Sequence, residues 1–275
     1  MLLRLLTWLL GGGPTTRYEE SAALLLKNLS DVAYYSAAEV IPWTCPPCRG
    51  VHGVLRATVV QSSTERVQAV VVHARGWRAV AFRGSTEPQN FLDDLRLHAH
   101  PLGNDSAAAV HGGFLRAWLA LRSQLLPLVL SAGPPLYVTG HSLGGALAVL
   151  CACDLASLHS ITVRGVYTYG APRVGNAEFA RWCQRRSGPV VWRLVHWRDP
   201  VPHLPPRSFG YVHGAGAREV FLPRDDRPPV AGRRLCSPTG YDARCSDQFR
   251  LAGTTLRDHL RYFGRPIGTR CCPSP

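Results

Sequence analysis

Pro135-Leu136-Tyr137-Val138-Thr139-Gly140-His141-Ser142-Leu143-Gly144-Gly145-Ala146-Leu147-Ala148-Val149-Leu150 is the stretch that decides how this chain reads. Its first five residues are rich in β-formers, and its last six, from Gly145, in alanine and leucine, so a strand runs into a helix through Gly140-His141-Ser142-Leu143-Gly144. A glycine-flanked serine between strand and helix is the context of a nucleophile elbow. The turn is sharp, and side chains at the flanking positions would collide with the strand or helix beside them; glycine removes that collision. The Ser142 hydroxyl then projects from the strand end, and the N–H groups opening the helix point at any oxyanion forming there. Ser142 is read as a nucleophile.

With 275 residues, 46% of them apolar, the chain can bury a core as one domain over residues 15–275. No apolar run reaches the ~18–20 residues that span a bilayer. Met1 to Leu10 are leucine-rich around Arg4 and are followed by Gly11-Gly12-Gly13-Pro14, which resembles a short secretory leader over residues 1–14 and predicts a secreted protein. Nine cysteines favour the same compartment. Cys45, Cys48, Cys271 and Cys272 lie toward the two ends and read as staples between the termini, with a local loop closed by Cys236 and Cys245. Zinc held by Cys45, Cys48, Cys271 and Cys272 is disfavoured, because adjacent cysteines make poor tetrahedral ligands. Cys151 and Cys153 fall two apart on a helix, cannot pair with each other, and read as buried thiols. The net charge of +13 is almost all arginine. It favours an anionic partner; no zinc-finger, homeodomain or RNP pattern accompanies it, so an anionic lipid surface fits better than nucleic acid.

The apolar spacing predicts helices over 16–40, 112–130, 177–185 and 247–263, with the elbow helix reaching about Leu158. Strands are expected at Val54–Val60, Val67–His73, Trp77–Phe82, Val163–Tyr169 and Val190–Trp197. An initial meander followed by alternating strands and helices gives an α/β fold around a mostly parallel sheet, with the strand C-terminal ends, and so the serine, along one rim.

A serine needs a base to take its proton, and the base a carboxylate to fix its tautomer. On such a scaffold the chain order is Ser, then Asp or Glu, then His. Asp199 directly follows a strand, in Trp197-Arg198-Asp199-Pro200, which places it on the rim of Ser142. Asp154 lies inside the elbow helix, while Asp225 and Asp226 sit in a charged, proline-rich loop. His203 and His213 follow Asp199 too closely to swing back over the serine, and His141 neighbours Ser142 but points elsewhere. His259 comes after the last strand, so the expected triad is Ser142, Asp199 and His259.

Further blocks extend the pattern: Ala81-Phe82-Arg83-Gly84-Ser85, Val110-His111-Gly112-Gly113-Phe114, Tyr167 to Asn176, Arg198 to Pro206, and His259 to Gly264. With the elbow, they resemble the class 3 (fungal-type) lipases in order from about residue 18 to 264. The resemblance implies an α/β-hydrolase fold, a serine ester hydrolase forming an acyl-enzyme, and a short lid over the site. It assigns the oxyanion hole to Ser85 and to the amide of Leu143, with Asp94, beside Asp93, supporting the Ser85 hydroxyl. The lid falls between Ser85 and Val110, where Phe91, Leu92 and Leu95 share a face opposed by Asp93, Asp94 and Arg96. The expected substrate is a lipid ester, triacylglycerol or partial glyceride, at an oil–water or membrane interface. A feruloyl-type esterase or phospholipase A1 on the same fold is the alternative; a non-catalytic α/β-hydrolase binding module is the alternative from another class, and modules of that kind usually lack a triad member. No cofactor or metal is required, and a monomer is expected.

Overall fold

The computed structural model describes residues 16–87, 89, 99–102, 105–185, 188–214, 216–237 and 242–269. Helix α1 (Glu20–Val32) and the short α2 (Ala37–Val40) come first. The helix expected over 16–40 is therefore two, and the break is local chemistry. Ser36 caps α2 with the Glu39 carboxylate reaching back to the Ser36 amide and hydroxyl, a reciprocal capping box that starts a new helix rather than continuing the old one.

Strands β1 (Val54–Ser62), β2 (Val67–Ala74) and β3 (Trp77–Phe82) form the antiparallel meander. A two-stranded ribbon, β4 (Ala99–Leu102) and β5 (Asp105–His111), leads into α3 (Gly112–Val129). Next come β6 (Leu136–His141), α4 (Leu143–His159), β7 (Val163–Tyr169), α5 (Ala177–Gln184), β8 (Val191–His196), β9 (Ala217–Leu222) and β10 (Arg234–Leu235). The main sheet has the order β1-β2-β3-β6-β7-β8-β9-β10. Within it β3, β6, β7, β8 and β9 run parallel, so their C-terminal ends share one rim, where ligands of open α/β sheets collect. Ribbon β4–β5 and strand β9 were not anticipated from the sequence; both are too short, or too mixed in polarity, to stand out by period alone.

The expected α/β architecture holds, with apolar packing on both sheet faces. On one face α1, through Ala22, Ala23, Leu26 and Leu29, covers Val70, Ala79, Ala81, Tyr137, Tyr167 and Tyr169. On the other, α3 and α4 cover Val71, Val80, Phe82, Val138 and Val166 with Phe114, Trp118, Leu121 and Leu147. Burial on both faces explains why β3 and β6 are buried at every residue.

Chain-end structure departs most from expectation. The helix predicted over 247–263 is only α6 (Leu256–His259), preceded by single turns at Ser246–Gln248 and Leu251–Gly253. Gly253-Thr254-Thr255 interrupts the helical run, and the Thr255 hydroxyl caps α6 by accepting the Arg257 amide. After α6 the chain turns into a small ribbon, β11 (Arg261–Tyr262) with β12 (Arg265–Pro266).

The disulfides also differ from expectation in two places. Cys236–Cys245 closes its local loop as expected. Cys45 bonds to Cys48, three residues away, instead of stapling the termini; Cys271 and Cys272 lie outside the described residues. Cys153 is not a thiol: it bonds to Cys183, with a Cα separation of 4.8 Å. Adjacent packing of α4 and α5 brings these two together, a proximity that no spacing rule reports. Cys151 alone of the described cysteines is free and buried. The Cys153–Cys183 bridge closes a sequence separation of 30, so removing it as Cys153→Ala with Cys183→Ala is expected to cost roughly 2–4 kcal/mol, read as a lower urea midpoint. An unchanged midpoint would show that the bridge adds nothing to stability.

Candidate active site

Four of the five parallel strands send to the common rim the segments that matter here: 83–85 after β3, Ser142 after β6, Gly170 after β7 and 197–203 after β8. Ser142 has φ +57°, the left-handed region that is unfavourable for a residue with a side chain. It is held there from both sides. Its amide donates to the Tyr169 carbonyl at 2.9 Å, and its carbonyl accepts the Gly145 amide at 2.9 Å. A Cβ on Gly140 would come within 2.8 Å of the Gly145 nitrogen, and one on Gly144 within 2.9 Å of the Arg83 carbonyl carbon. The collision argument for the flanking glycines is thus met in this structure: α4 sits directly on the ends of β3 and β6. Ser142 is itself 1% exposed.

Asp199 and His259 meet at the next loop along the rim. The His259 ring places Nδ1 at 3.0 Å from both carboxylate oxygens of Asp199. As a carboxylate only accepts, Nδ1 carries the hydrogen and Nε2 of the neutral ring is the bare nitrogen. Asp199 is fully buried and also accepts the Tyr262 hydroxyl at 2.7 Å and the Val201 amide at 2.9 Å. Burial by itself would raise this carboxyl. The His259 ring, the Tyr262 hydroxyl and the Val201 amide outweigh burial and hold it below the usual carboxylate range. A buried acid surrounded by donors stays ionised and fixes the imidazole beside it.

The Ser142 hydroxyl and His259 Nε2 are both buried and have no hydrogen-bond partner among the described residues, so they are not bonded to each other in this conformation. Their neighbourhood is nonetheless shared. The His141 ring lies 4.5 Å from the His259 ring, centroid to centroid. Gly170, next to the Tyr169 that bonds the Ser142 amide, has φ +60°, and a Cβ there would approach His259 Nδ1 to 2.7 Å. In ligand-free sites, bonds between nucleophile and base are often long and tighten only in the complex.

His141 does not point away from the site. Its Nε2 lies 2.9 Å from the His259 carbonyl oxygen and its Nδ1 2.8 Å from the Tyr34 hydroxyl. A carbonyl must accept, so Nε2 of His141 donates and Nδ1 accepts the Tyr34 proton. Burial, then the neighbouring His259, pushes His141 well below its ordinary pKa and keeps it neutral. Tyr34 in turn accepts the Gly84 amide. One hydrogen-bonded chain thus runs from the loop after β3, through Tyr34 and His141, to the backbone of His259.

Ser85 ends that loop and is half-buried, and its hydroxyl accepts the Glu87 amide at 3.1 Å. A Cβ on the adjacent Gly84 would come within 2.5 Å of the His141 carbonyl oxygen and 3.2 Å of the Ser142 Cβ, so the loop is packed against the elbow. Leu143 opens α4 beside Ser142, where first-turn amides lack acceptors within the helix. Phe91, Leu92, Asp93, Asp94 and Leu95, expected as lid and support, lie outside the described residues. His213 does not join the site: its Nε2 is bonded to the Pro202 carbonyl at 2.9 Å. Sequence reasoning missed Tyr34, His141 and Tyr262. Tyr262 stands three residues beyond His259, but nothing in that spacing says that its hydroxyl turns back onto Asp199.

Gly170→Ala is expected to displace the His259–Asp199 pair and lower kcat by about a hundredfold, with a smaller change in KM; unchanged kinetics would show that the pair tolerates the intrusion. A second expectation concerns acid. Asp199 titrates lower in the folded chain than its unfolded value near ~3.9. Its contribution to stability is therefore complete above that value and is lost as pH falls through the lower folded pKa. Urea unfolding of the wild type and Asp199→Asn should show a stability gap at neutral pH that closes only below about pH 4; a gap independent of pH would rule out this linkage.

The family model for class 3 lipases matches residues 79–209. A lipase of Rhizomucor miehei is 32% identical over 266 residues, spanning 90% of this chain and 71% of the relative. Secreted mono- and diacylglycerol lipase 1 of Fusarium solani is 34% identical over 228 residues, 80% of this chain and 66% of the relative. Among solved structures, the Rhizomucor miehei lipase–propeptide complex superposes with a TM-score of 0.80 at 30% identity, over 94% of this chain and 84% of the other. The elbow, the shared rim and these likenesses agree: the chain belongs to the class 3 lipase family and is an ester hydrolase of the α/β-hydrolase fold.

Proposed function

We propose that this chain hydrolyses glyceride esters through Ser142, with His259 as general base and Asp199 as the carboxylate that orients it. The observation that carries the reading is the His259 ring clamped through Nδ1 by a buried, ionised Asp199, leaving Nε2 bare among the rim loops that hold Ser142. Both unpartnered atoms, the Ser142 hydroxyl and His259 Nε2, then have a use. Nε2 takes the hydroxyl proton as Oγ attacks the ester carbonyl, and the protonated ring passes that proton to the departing alcohol. Water repeats the sequence on the acyl-enzyme, returning Ser142 and releasing the acid. The Leu143 amide, with the amide and hydroxyl of Ser85, receives the negative oxygen of each tetrahedral intermediate.

Glycerides as substrate are supported by the names of the relatives, lipases and mono- and diacylglycerol lipases. Ser142 and His259 are 1% and 0% exposed, so an ester reaches them only when covering chain moves aside. That fits the expectation of an apolar lid at Phe91, Leu92 and Leu95, whose exposure to water costs about 1.5–3 kcal/mol per side chain and is relieved by lipid. Secretion is supported by relatives named as secreted and by the three disulfides, with residues 1–14 as leader and 15–275 as one domain. No helix among the described residues is long and apolar enough to cross a membrane.

Ser142→Ala is expected to lower turnover of an emulsified glyceride by roughly 10⁵–10⁶ and to abolish labelling by a fluorophosphonate; near-normal hydrolysis would remove Ser142 from the mechanism. The rate of the wild type should also rise steeply as a short-chain glyceride passes its solubility limit. A rate that follows total concentration smoothly through that limit would rule out activation at the interface.

A further inference from the structure

The two segments that bring Asp199 and His259 to the rim also bring a cluster of exposed arginines. Arg198 precedes Asp199, Arg207 lies in the turn Arg207–Phe209, and Arg250 and Arg257 flank the turn and cap before His259; all four are exposed. The segments are joined. The Thr255 amide donates to the Arg198 carbonyl at 2.8 Å, and Arg207 reaches Asp247 at 4.0 Å. The Arg198 guanidinium lies 5.9 Å from the Trp197 ring and 5.3 Å from the Phe249 ring, which pack at 4.9 Å. Such stacking orders a cation without neutralising it. The acidic groups of the same segments are few: Asp247 faces Arg207, Asp258 is half-buried, and Asp242 is engaged by Arg244. Among the described residues, Arg250 and Arg257 have no carboxylate within ion-pair distance. Two large apolar side chains stand among these cations, Phe209 at 59% exposed and Leu251 at 49%.

We propose that this face, formed by residues 197–209 and 247–257, is a docking surface for a lipid layer carrying anionic headgroups. Arg207, Arg250 and Arg257 meet the headgroup phosphates, Arg198 is fixed among them, and Phe209 and Leu251 enter the acyl boundary. Charge complementarity selects this partner: exposed cations with interspersed apolar side chains match a surface that is anionic outside and apolar just beneath. Its position gives it a purpose, because the same loops border the acid–base edge of the site. The proposal rests on the lipid-ester reading above, although its test needs no turnover. Exposed arginines also occur at the opposite end of the sheet, where β1, β3 and β9 begin: Arg56, Arg75 and Arg218. They provide a control of equal charge.

The experiment measures co-sedimentation of the full chain carrying Ser142→Ala with vesicles of phosphatidylcholine alone or mixed with phosphatidylglycerol. Binding to the mixed vesicles should be tighter and should weaken as salt is added. At roughly fivefold per basic side chain at such a surface, Arg207→Gln, Arg250→Gln and Arg257→Gln together should lower it on the order of a hundredfold. Arg56→Gln, Arg75→Gln and Arg218→Gln together should leave it nearly unchanged. Phe209→Ser with Leu251→Ser should reduce binding to both vesicle types. Equal binding to the two lipids, or equal losses in the two triple variants, would overturn the proposal, the latter assigning the effect to net charge alone. Because Ser142→Ala is inactive on the proposed mechanism, failed docking leaves the hydrolase reading standing, while loss of the hydrolase reading would appear as wild-type turnover surviving Ser142→Ala.

Discussion

The constraint on which the rest depends is the contact between the first turn of α4 and the ends of β3 and β6. Gly140 and Gly144 have no room for a Cβ, and Gly84 has none against the His141 carbonyl. Only at that distance can Ser142 take its left-handed backbone, with its amide bonded to Tyr169 and its carbonyl to Gly145. The strain of that one residue is sustained by a buried sheet packed on both faces. The same contact brings the loop that carries Ser85 against the elbow, so Ser142 and Ser85 are placed by one piece of packing.

Electrostatically, the site sorts two buried histidines into different tasks. His141 faces a carbonyl and a phenol, which suits a neutral ring and leaves it no bare nitrogen. His259 faces a carboxylate that burial alone would neutralise, but which donors from Tyr262, Val201 and His259 itself keep ionised. One ring is a brace, and the other keeps Nε2 without a hydrogen-bond partner among the described residues. The brace matters because it couples the backbone of His259 to Tyr34 and so to Gly84, tying His259 to the loop on the other side of the elbow.

Much of the fold was legible in order and type. The meander, the elbow strand and helix, and β7 and β8 follow from apolar runs whose period reports burial on one face or both. The chain end was not legible: the apolar spacing over 247–263 is helical, yet Gly253 and the Thr255 cap leave only four helical residues. The cysteines fail for another reason. Cys153–Cys183 is a consequence of which surfaces pack, and residue spacing has no access to that, whereas Cys45–Cys48 is a local bridge between residues three apart, formed where a staple between the termini was expected.

By itself the sequence determined the class of chemistry, ester hydrolysis, and pointed to an order of residues for it: a serine in a glycine-flanked turn, an aspartate just past a strand, a histidine near the end. Local sterics and chain order are properties of short segments and can be read one segment at a time. Tertiary structure alone decided that Tyr262 and Val201 keep Asp199 charged, that His141 turns inward to brace His259, and that Cys153 finds Cys183. Except for the Val201 amide, which lies two residues from Asp199, those outcomes depend on distances between residues tens of positions apart, and such distances exist only once the sheet has aligned its strand ends on one rim.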